Sequence, residues 1–310
     1  MEKISDIKTL TEEELKNWLK EVGEKPFRAD QIRNRLFCGQ VKSFNEMETI
    51  PAALREKLSA NFRITSLEEA KRLISVDGTV KWLYQTHDGH HIETVLIPTN
   101  DRFSVCVSTQ IGCAQNCAFC RTAKMGFIRN LEAGEILEEI IRVNWYLEET
   151  GTKHSDGSLA KVTNIIFMGM GEPLNNLEQV HRVCCTLHHQ KLFNLGRKRM
   201  TISTSGVVPK IKELVDRNTP CCLAVSLNST NDERRSAVMP VNKVWNIAKL
   251  LEATDEYTKR TGNYVTFEFV LMKGITCSEE AAKELIRICA PRRCKVNAIV
   301  LNDGDVAEMR

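Results

Sequence analysis

Phe103-Ser-Val-Cys-Val-Ser-Thr-Gln-Ile-Gly-Cys113-Ala-Gln-Asn-Cys117-Ala-Phe-Cys120 is the stretch on which the reading turns. Its first half alternates. Phe103, Val105 and Val107 share one face, and Ser104, Cys106 and Ser108 share the other, as in a half-buried strand. Its second half sets three cysteines at C-x3-C-x2-C spacing, which wraps three thiolates around one small object. Three thiolates suit three irons of a cubane iron–sulfur cluster and leave the fourth iron open for a chelating ligand. A structural zinc wants a fourth protein ligand. No histidine follows until His154, although Cys106 would serve. Zinc therefore stays open as the alternative, with a purely structural cysteine cluster behind it.

Outward from this stretch the chain alternates strand and helix. Candidate strands are 103–109, 162–168, 199–204, 221–227, 264–271 and 294–301, separated by amphipathic runs such as 132–149 with Ile136, Ile140, Ile141 and Leu147 on one side. Six such strands imply an α/β fold with a parallel sheet, either open and doubly wound or part of a barrel. Upstream, Asp77-Gly78 and Asp88-Gly89 are hairpin turns flanked by Trp82, Tyr84, Ile92 and Val95, which predicts a three-stranded meander over 68–97. The first sixty residues read as helical. Thr11-Glu-Glu-Glu14 is a capping box, Leu15, Trp18, Leu19 and Val22 follow at helical spacing, and Gly23 ends the run. Ala29, Ile32 and Leu36 mark a second helix, and Leu54 and Leu58 after Pro51 a third.

Composition narrows the class. The 310 residues are 42% hydrophobic and 27% charged, enough for a packed core and against wholesale disorder. No run reaches the ~18 apolar residues of a membrane span. The start, Met1-Glu-Lys-Ile-Ser-Asp, has no apolar signal core and is too acidic for a transit peptide. A soluble cytoplasmic protein with no membrane partner is the expectation. The net charge of +3 is too small to announce a nucleic-acid binder. Arg197-Lys198-Arg199, Arg234-Arg235 and Arg292-Arg293 with Lys295 are local basic clusters, which permit a polyanionic partner and equally suit solvated helix ends. Twelve cysteines without a secretory signal are not a disulfide framework. The nine outside the motif read as small buried hydrophobes.

A second motif, Met168-Gly-Met-Gly171-Glu172-Pro173, follows the second strand. Its glycines let a ligand approach the backbone, and Glu172 can accept from an ammonium group. A Rossmann-type methyltransferase loop is the rival, although Glu-Pro stands where a later glycine belongs; a mere turn is the plain reading. Parallel α/β folds bind ligands beyond the C-terminal ends of their strands. There the chain places Cys113–Cys120, Gly171-Glu172, Ser203-Thr-Ser-Gly206, Ser226-Leu227-Asn228 and Asn302. Any one Ser or Asn is as good a helix cap, but together they form a candidate rim for ribose, carboxylate and adenine.

With Phe119 in the aromatic place, Cys113–Cys120 resembles the C-x3-C-x-aromatic-C motif of the radical S-adenosylmethionine superfamily, and Met168–Pro173 is similar to its Gly-Gly-Glu-Pro element. The resemblance implies a partial (βα)6 barrel and a [4Fe–4S] cluster on Cys113, Cys117 and Cys120. The cluster's open iron would hold S-adenosylmethionine, and an electron from it would split the sulfonium. Phe27-Arg-Ala-Asp-Gln-Ile-Arg33, Ile92-Glu-Thr-Val-Leu-Ile-Pro98, Cys106–Cys113, Gly126-Phe-Ile-Arg-Asn-Leu131, Met168–Asn175 and Ser203–Pro209 carry a closer resemblance to the RlmN family.

That family implies methylation of carbon 2 of an adenine in the peptidyl-transferase centre of 23S rRNA and of an adenine beside the tRNA anticodon, through a methylated cysteine. Glu93 would be the proton acceptor and Cys106 the thiol that resolves the protein–RNA adduct. Read without the family, Glu93 is a surface carboxylate and Cys106 a packed, half-buried cysteine. Gly171, Glu172, Ser203, Ser226, Leu227, Asn228 and Asn302 would bind S-adenosylmethionine. The implied layout is a helical RNA-binding domain over 1–64, a β-meander linker over 65–98 and the partial barrel over 99–310, acting as a monomer. Flavodoxin or ferredoxin would be the electron donor, and Arg28, Arg33 and Arg35 would contact phosphates. A Cfr-type carbon-8 methyltransferase and a zinc-stabilised, non-catalytic RNA-binding protein are the alternatives. One departure stands out: the family's Ala-Cys-Gly-Gln-type segment with the methyl-carrying cysteine is not in these residues, and Val300 stands where proline is usual. The expectation is a fragment of a longer product, able to bind the cluster and cleave S-adenosylmethionine without completing methyl transfer.

Overall fold

A computed structural model describes residues 5–65, 67–273 and 276–300. Short strands β1 (Ser5–Asp6) and β2 (Phe62–Arg63) pair in parallel around three helices, α1 (Glu12–Glu21), α2 (Arg28–Cys38) and α3 (Ala52–Asn61). The capping box forms as the sequence predicts: Glu14 N–H donates to Thr11 Oγ1 at 3.2 Å and Thr11 N–H to Glu14 Oε2 at 2.7 Å. Leu15, Leu19, Ala29, Ile32, Leu36, Leu54 and Leu58 bury the three apolar stripes, each leucine contributing about 2 kcal/mol of burial.

Next comes the meander, β3 (Glu68–Ile74), β4 (Val80–Gln85) and β5 (His91–Thr99), whose turns put Gly78 and Gly89 at φ 82. From there the chain alternates: β6 (Arg102–Cys106), a hairpin of β7 (Gln110–Gly112) and β8 (Phe127–Asn130) with α4 (Arg121–Lys124) between its strands, then α5 (Ala133–Glu149), β9 (Asn164–Phe167), α6 (Leu177–His188), β10 (Met200–Thr204), α7 (Val208–Asp216), β11 (Cys222–Ser226), α8 (Asp232–Val238), α9 (Ile247–Thr261), β12 (Val265–Leu271), α10 (Glu279–Cys289) and β13 (Cys294–Val300). All six candidate barrel strands form. The β7–β8 hairpin was not anticipated: three residues give no period to read, and their partner lies well over a dozen residues on.

The described residues divide into two compact units that interleave along the chain. The first is Met1–Ser108, Leu131–Gly169 and Glu178–Arg199; the second is Thr109–Asn130, Met170–Leu177 and Met200–Arg310. In the first, the strand order is β9-β6-β5-β4-β3, antiparallel from β3 through β6 and parallel between β6 and β9. The meander therefore continues directly into the first β/α strand. In the second, β10, β11, β12 and β13 run parallel in chain order, each joined to the next through helices as in a β/α repeat.

Helix α5 covers the first unit's sheet and departs from simple amphipathicity. Trp82 of β4 meets Tyr146 of α5 edge-on at 5.2 Å. Glu135, Glu138 and Glu139 of this helix are buried. Each finds partners: Glu138 pairs with Lys8 and with Arg142, Glu135 accepts from Glu132 N–H at 2.9 Å, and Glu139 accepts from Thr94 Oγ1 and Ser108 N–H. No helix among the described residues is long and apolar enough to cross a membrane.

Candidate active site

The cysteine loop is mounted on the β7–β8 hairpin of the second unit, where Gln110 faces Asn130, Ile111 faces Arg129 and Gly112 faces Phe127. Gly112 sits at φ +74, and a Cβ there would fall 1.7 Å from the Gly126 carbonyl oxygen, so only glycine fits. The next N–H, that of Cys113, donates to the same carbonyl at 2.9 Å. Asn116 turns the loop through the left-handed region at φ 52, a conformation asparagine tolerates. Ala118 N–H then anchors the loop on Val238 O at 2.9 Å, and Cys120 N–H closes on Cys117 O at 3.1 Å. Cys117 and Phe119 pack against Val238, Met239, Val241 and Met272.

The three thiols are free and stand close enough to feel one another's charge. Burial pushes Cys117 up to about 12, with Cys120, Cys113 and Glu172 adding and Arg235 opposing. Cys113 is also raised, by burial first. Among the described residues, no three His, Cys, Asp or Glu side chains converge on a point where one metal ion would sit. A cubane asks for something different, since each thiolate holds its own iron. Three free sulfur donors on one tightly anchored loop are the donor set that cluster takes.

The Gly171-Glu172 loop is tied to the same hairpin through Gln110, a residue that sequence reasoning passed over. Gln110 Oε1 accepts from Glu172 N–H at 2.7 Å while its Nε2 donates to Asn130 Oδ1 at 2.7 Å. Gly171 lies at φ +105, where a Cβ would fall 2.5 Å from Gln110 Cβ. The Glu172 carboxylate is buried and turned into the fold: Oε2 accepts from Ser205 N–H and Oγ, both at 2.7 Å, and Oε1 from Leu174 N–H at 3.1 Å. Burial nonetheless raises its pKa, those hydrogen bonds opposing. Ser205, just past β10, is the serine that reaches Glu172; Ser203 lies within β10, half-buried.

Ser226 ends β11 and Asn228 follows at φ 50. Asn228 Oδ1 accepts from Val270 N–H at 3.0 Å, and Leu227, fully buried, bonds Glu268 O through its N–H. Around these loops sits Arg235, which the sequence presents as one of a solvated basic pair and the structure buries completely. Its guanidinium donates to Ser205 O at 2.7 Å, Ser226 O and Leu227 O at 2.9 Å, and Asn242 Oδ1 at 2.9 Å. Burial brings it down to about 10, with Cys117 and Asp232 opposing, so it remains a cation at neutral pH beside the cysteine loop. Asn302 lies outside the described residues.

The other two candidates belong to the first unit. Val95 faces Cys106 across β5 and β6, and with two residues per strand repeat Glu93 lies on that same face. Lys81 Nζ pairs with Glu93 Oε1 at 2.7 Å, a surface ion pair with both side chains nearly half exposed. Burial pushes the Cys106 thiol up to about 12, with Glu139 and Glu93 adding and Lys81 opposing. Arg33 corrects the phosphate-contact expectation: it is buried and donates to Leu10 O at 3.2 Å. Arg28 and Arg35 are half-buried, bonded to Gln31 and to Glu46 O. Of two cavities of this unit, the one of about 340 Å³ is lined by none of the candidate residues, and the one of about 470 Å³ by Arg33 and Arg35 among others.

Comparison with known proteins gives the same picture. Residues 5–64 match the ribosomal RNA large subunit methyltransferase N-terminal domain, and residues 107–286 match the radical SAM superfamily. A protein named "Probable dual-specificity RNA methyltransferase RlmN" of Bacillus licheniformis is 42% identical over 290 residues, spanning 94% of this chain and 78% of that one. The dual-specificity RNA methyltransferase RlmN of Anaeromyxobacter dehalogenans is 41% identical over 299 residues, spanning 96% of this chain and 79% of its own. The solved structure of a radical SAM methyltransferase from Sphaerobacter thermophilus matches with a TM-score of 0.89 at 39% identity, over 96% of this chain and 86% of that one. With that fold, that cysteine loop and relatives of this similarity over nearly its whole length, the chain belongs to the RlmN family of radical S-adenosylmethionine RNA methyltransferases, enzymes that work with a [4Fe–4S] cluster.

Proposed function

We propose that this chain methylates carbon 2 of an adenine in the peptidyl-transferase centre of 23S rRNA and of an adenine next to the tRNA anticodon. The observation that supports the reading is the bonded series Asn130–Gln110–Glu172–Ser205, which joins the hairpin carrying the cysteine loop to the Gly-Glu loop. Cys113, Cys117 and Cys120 would hold the [4Fe–4S] cluster, which when bound supplies the single electron that splits S-adenosylmethionine.

The chain's own groups divide the remaining work. Because the Glu172 carboxylate is turned inward, the loop would present main-chain oxygens of Gly171 and Glu172 to the amino group of S-adenosylmethionine. Ser203, Ser226, Leu227, Asn228 and Asn302 would line the rest of that site. Glu93, paired with Lys81, would take the proton that leaves adenine carbon 2. Cys106 would release the product by attacking the sulfur of the methyl-carrying cysteine that the family implies: an S–S bond would form as the bond from that sulfur to the RNA-bound methylene breaks, and the released electron pair and a proton would end on the product's methyl group. With its thiol pushed up to about 12, Cys106 stays protonated at neutral pH and needs a base at that moment.

The protein would work in the cytoplasm as a monomer, with 23S rRNA and tRNA as substrates, flavodoxin or ferredoxin as electron donor and no membrane contact. Residues 1–64 would serve as an RNA-binding accessory domain, 65–98 as a linker and 99–310 as the catalytic barrel. Anaerobic reconstitution with iron and sulfide, then reduction by dithionite with S-adenosylmethionine, tests this. About four irons per chain with formation of 5′-deoxyadenosine is the expected outcome, and a zinc-only protein without that product refutes the enzyme reading. With RNA present, 2-methyladenosine supports the assignment; 8-methyladenosine replaces it with the Cfr-type reaction.

A further inference from the structure

Cys289-Ala-Pro-Arg-Arg-Cys294 joins α10 to β13, and the proposed chemistry uses neither of its cysteines. Cys289 is the final residue of the helix and Cys294 the first of the strand. The turn between them is tight. Ala290 N–H donates to Ile286 O at 2.8 Å, Arg292 N–H to Cys289 O at 2.9 Å and Cys294 N–H to Arg292 O at 3.1 Å. The chain thereby folds back on itself and sets the Cys294 thiol 3.7 Å from the Cys289 carbonyl oxygen, to which it donates.

The two thiols also meet each other. Burial first, and then Cys294 as a charge and as a hydrogen-bond partner, push the Cys289 thiol up to about 12, with Arg292 opposing. Cys289 therefore stays protonated at neutral pH and can donate to a thiolate on its neighbour. Both cysteines are free and half-buried. Neither is the sealed apolar filler that the sequence suggests, and a small reagent can reach them. Among the described residues no third His, Cys, Asp or Glu joins the pair to make a metal site, so zinc would lack its usual four ligands.

We propose that Cys289 and Cys294 are a reversible oxidation site, a dithiol that closes to a disulfide by exchange with a low-molecular-weight disulfide. Cys294 loses its proton and attacks one sulfur of that reagent. An S–S bond forms to Cys294, the reagent's own S–S bond breaks, and its other half leaves as a thiol carrying that proton. Cys289 then gives up its proton, attacks the Cys294 sulfur and expels the second half as a thiol. The pair loses two electrons and two protons, and the reagent gains both. The second step is intramolecular, and the turn supplies it by holding one sulfur against the other. In a cytoplasm such bridges are transient and follow the redox state of small thiols. Closure fastens the start of β13, which has β12 as its one sheet neighbour among the described residues, to the end of the helix before it.

The test holds the reconstituted full chain without oxygen in mixtures of reduced and oxidised glutathione, then quenches with iodoacetamide and cuts with trypsin. Arg292 and Arg293 lie between the two cysteines, so cleavage separates them and only a bridge keeps their peptides joined. The expected result is a joined pair, lighter by two hydrogens than its two thiol peptides together, which reductant separates fully. Because closure is intramolecular, the joined pair should exceed glutathione-capped Cys294 by about tenfold or more. Cys289→Ser should stop at that cap, and Cys294→Ser, without the attacking thiol, should leave Cys289 mostly uncapped. Alkylation of both cysteines in the most oxidising mixture overturns the proposal. So does a separate glutathione cap on each, a bridge from either to a different cysteine, or a bridge that forms only after urea unfolds the chain or iron is lost. None of these outcomes turns on the radical reading, whose own test is formation of 5′-deoxyadenosine.

Discussion

Arg235 shows how much one side chain can organise without taking part in chemistry. Four hydrogen bonds from its guanidinium hold the ends of β10 and β11 to each other and to Asn242. Arg235→Lys keeps the charge but offers three mobile donors in place of a planar fork. It is expected to destabilise the fold by about 3 kcal/mol, read as a lower urea midpoint at unchanged slope. Gly112→Ala makes a sharper test of the cysteine loop. A Cβ 1.7 Å from a carbonyl oxygen, at φ +74, forces the hairpin apart, and iron incorporation should fall well below that of the unsubstituted protein under identical reconstitution. The sequence made Cys113, Cys117 and Cys120 legible because ligand spacing is written in order along the chain. It concealed Arg235 because Arg234-Arg235 looks like any solvated pair until burial is known. The roles proposed for Glu93 and Cys106 come through resemblance alone, for alternation gives a strand face but not the Lys81–Glu93 ion pair.

At the scale of elements, α5 and the β7–β8 hairpin repay attention. Glu139 lies fully buried between α5 and the β5–β6 strands, accepting from Thr94 and Ser108, and burial raises its pKa well above 4.5, those two hydrogen bonds opposing. A carboxyl whose folded pKa exceeds its unfolded value favours the neutral form in the fold. Stability therefore falls as pH rises from the unfolded value towards the folded one, by up to about 1.4 kcal/mol per pH unit. Glu139→Gln is isosteric and cannot ionise, so it should remove that slope. Its melting temperature should exceed that of the unsubstituted protein by a margin that widens from pH 5 to pH 8, and a constant margin would refute this account. The helical period made α5 readable, yet not the covering of its acidic face. The Lys8, Thr94 and Ser108 partners that make this burial tolerable come from β-strand and N-terminal segments distant in sequence.

On the scale of the whole molecule, the six β/α strands and the meander were legible from hydrophobic rhythm and Asp-Gly turns. The interleaving of two compact units was not. Thr109–Asn130 belongs with Met200 onward rather than with the residues either side of it, and composition does not change at those boundaries. The interleaving has a measurable consequence. Stripping iron with a chelator should speed amide hydrogen exchange across 110–130 and 170–176, where the cysteine hairpin and the Gly-Glu loop lie. Exchange in α1–α3 and in β3–β5 should hold steady. Uniform acceleration over both units would count against this division of stability.

The bridge made by Gln110 also has a thermodynamic meaning. One amide bonds Asn130, on the hairpin that carries the cysteine loop, and Glu172 of the Gly-Glu loop, so if the proposed cluster and S-adenosylmethionine sites lie there, ordering either spares part of the cost of ordering the other. Such coupling is reciprocal. The factor by which a loaded cluster tightens S-adenosylmethionine must equal the factor by which S-adenosylmethionine strengthens retention of the cluster, and Gln110→Ala should bring both factors towards one together.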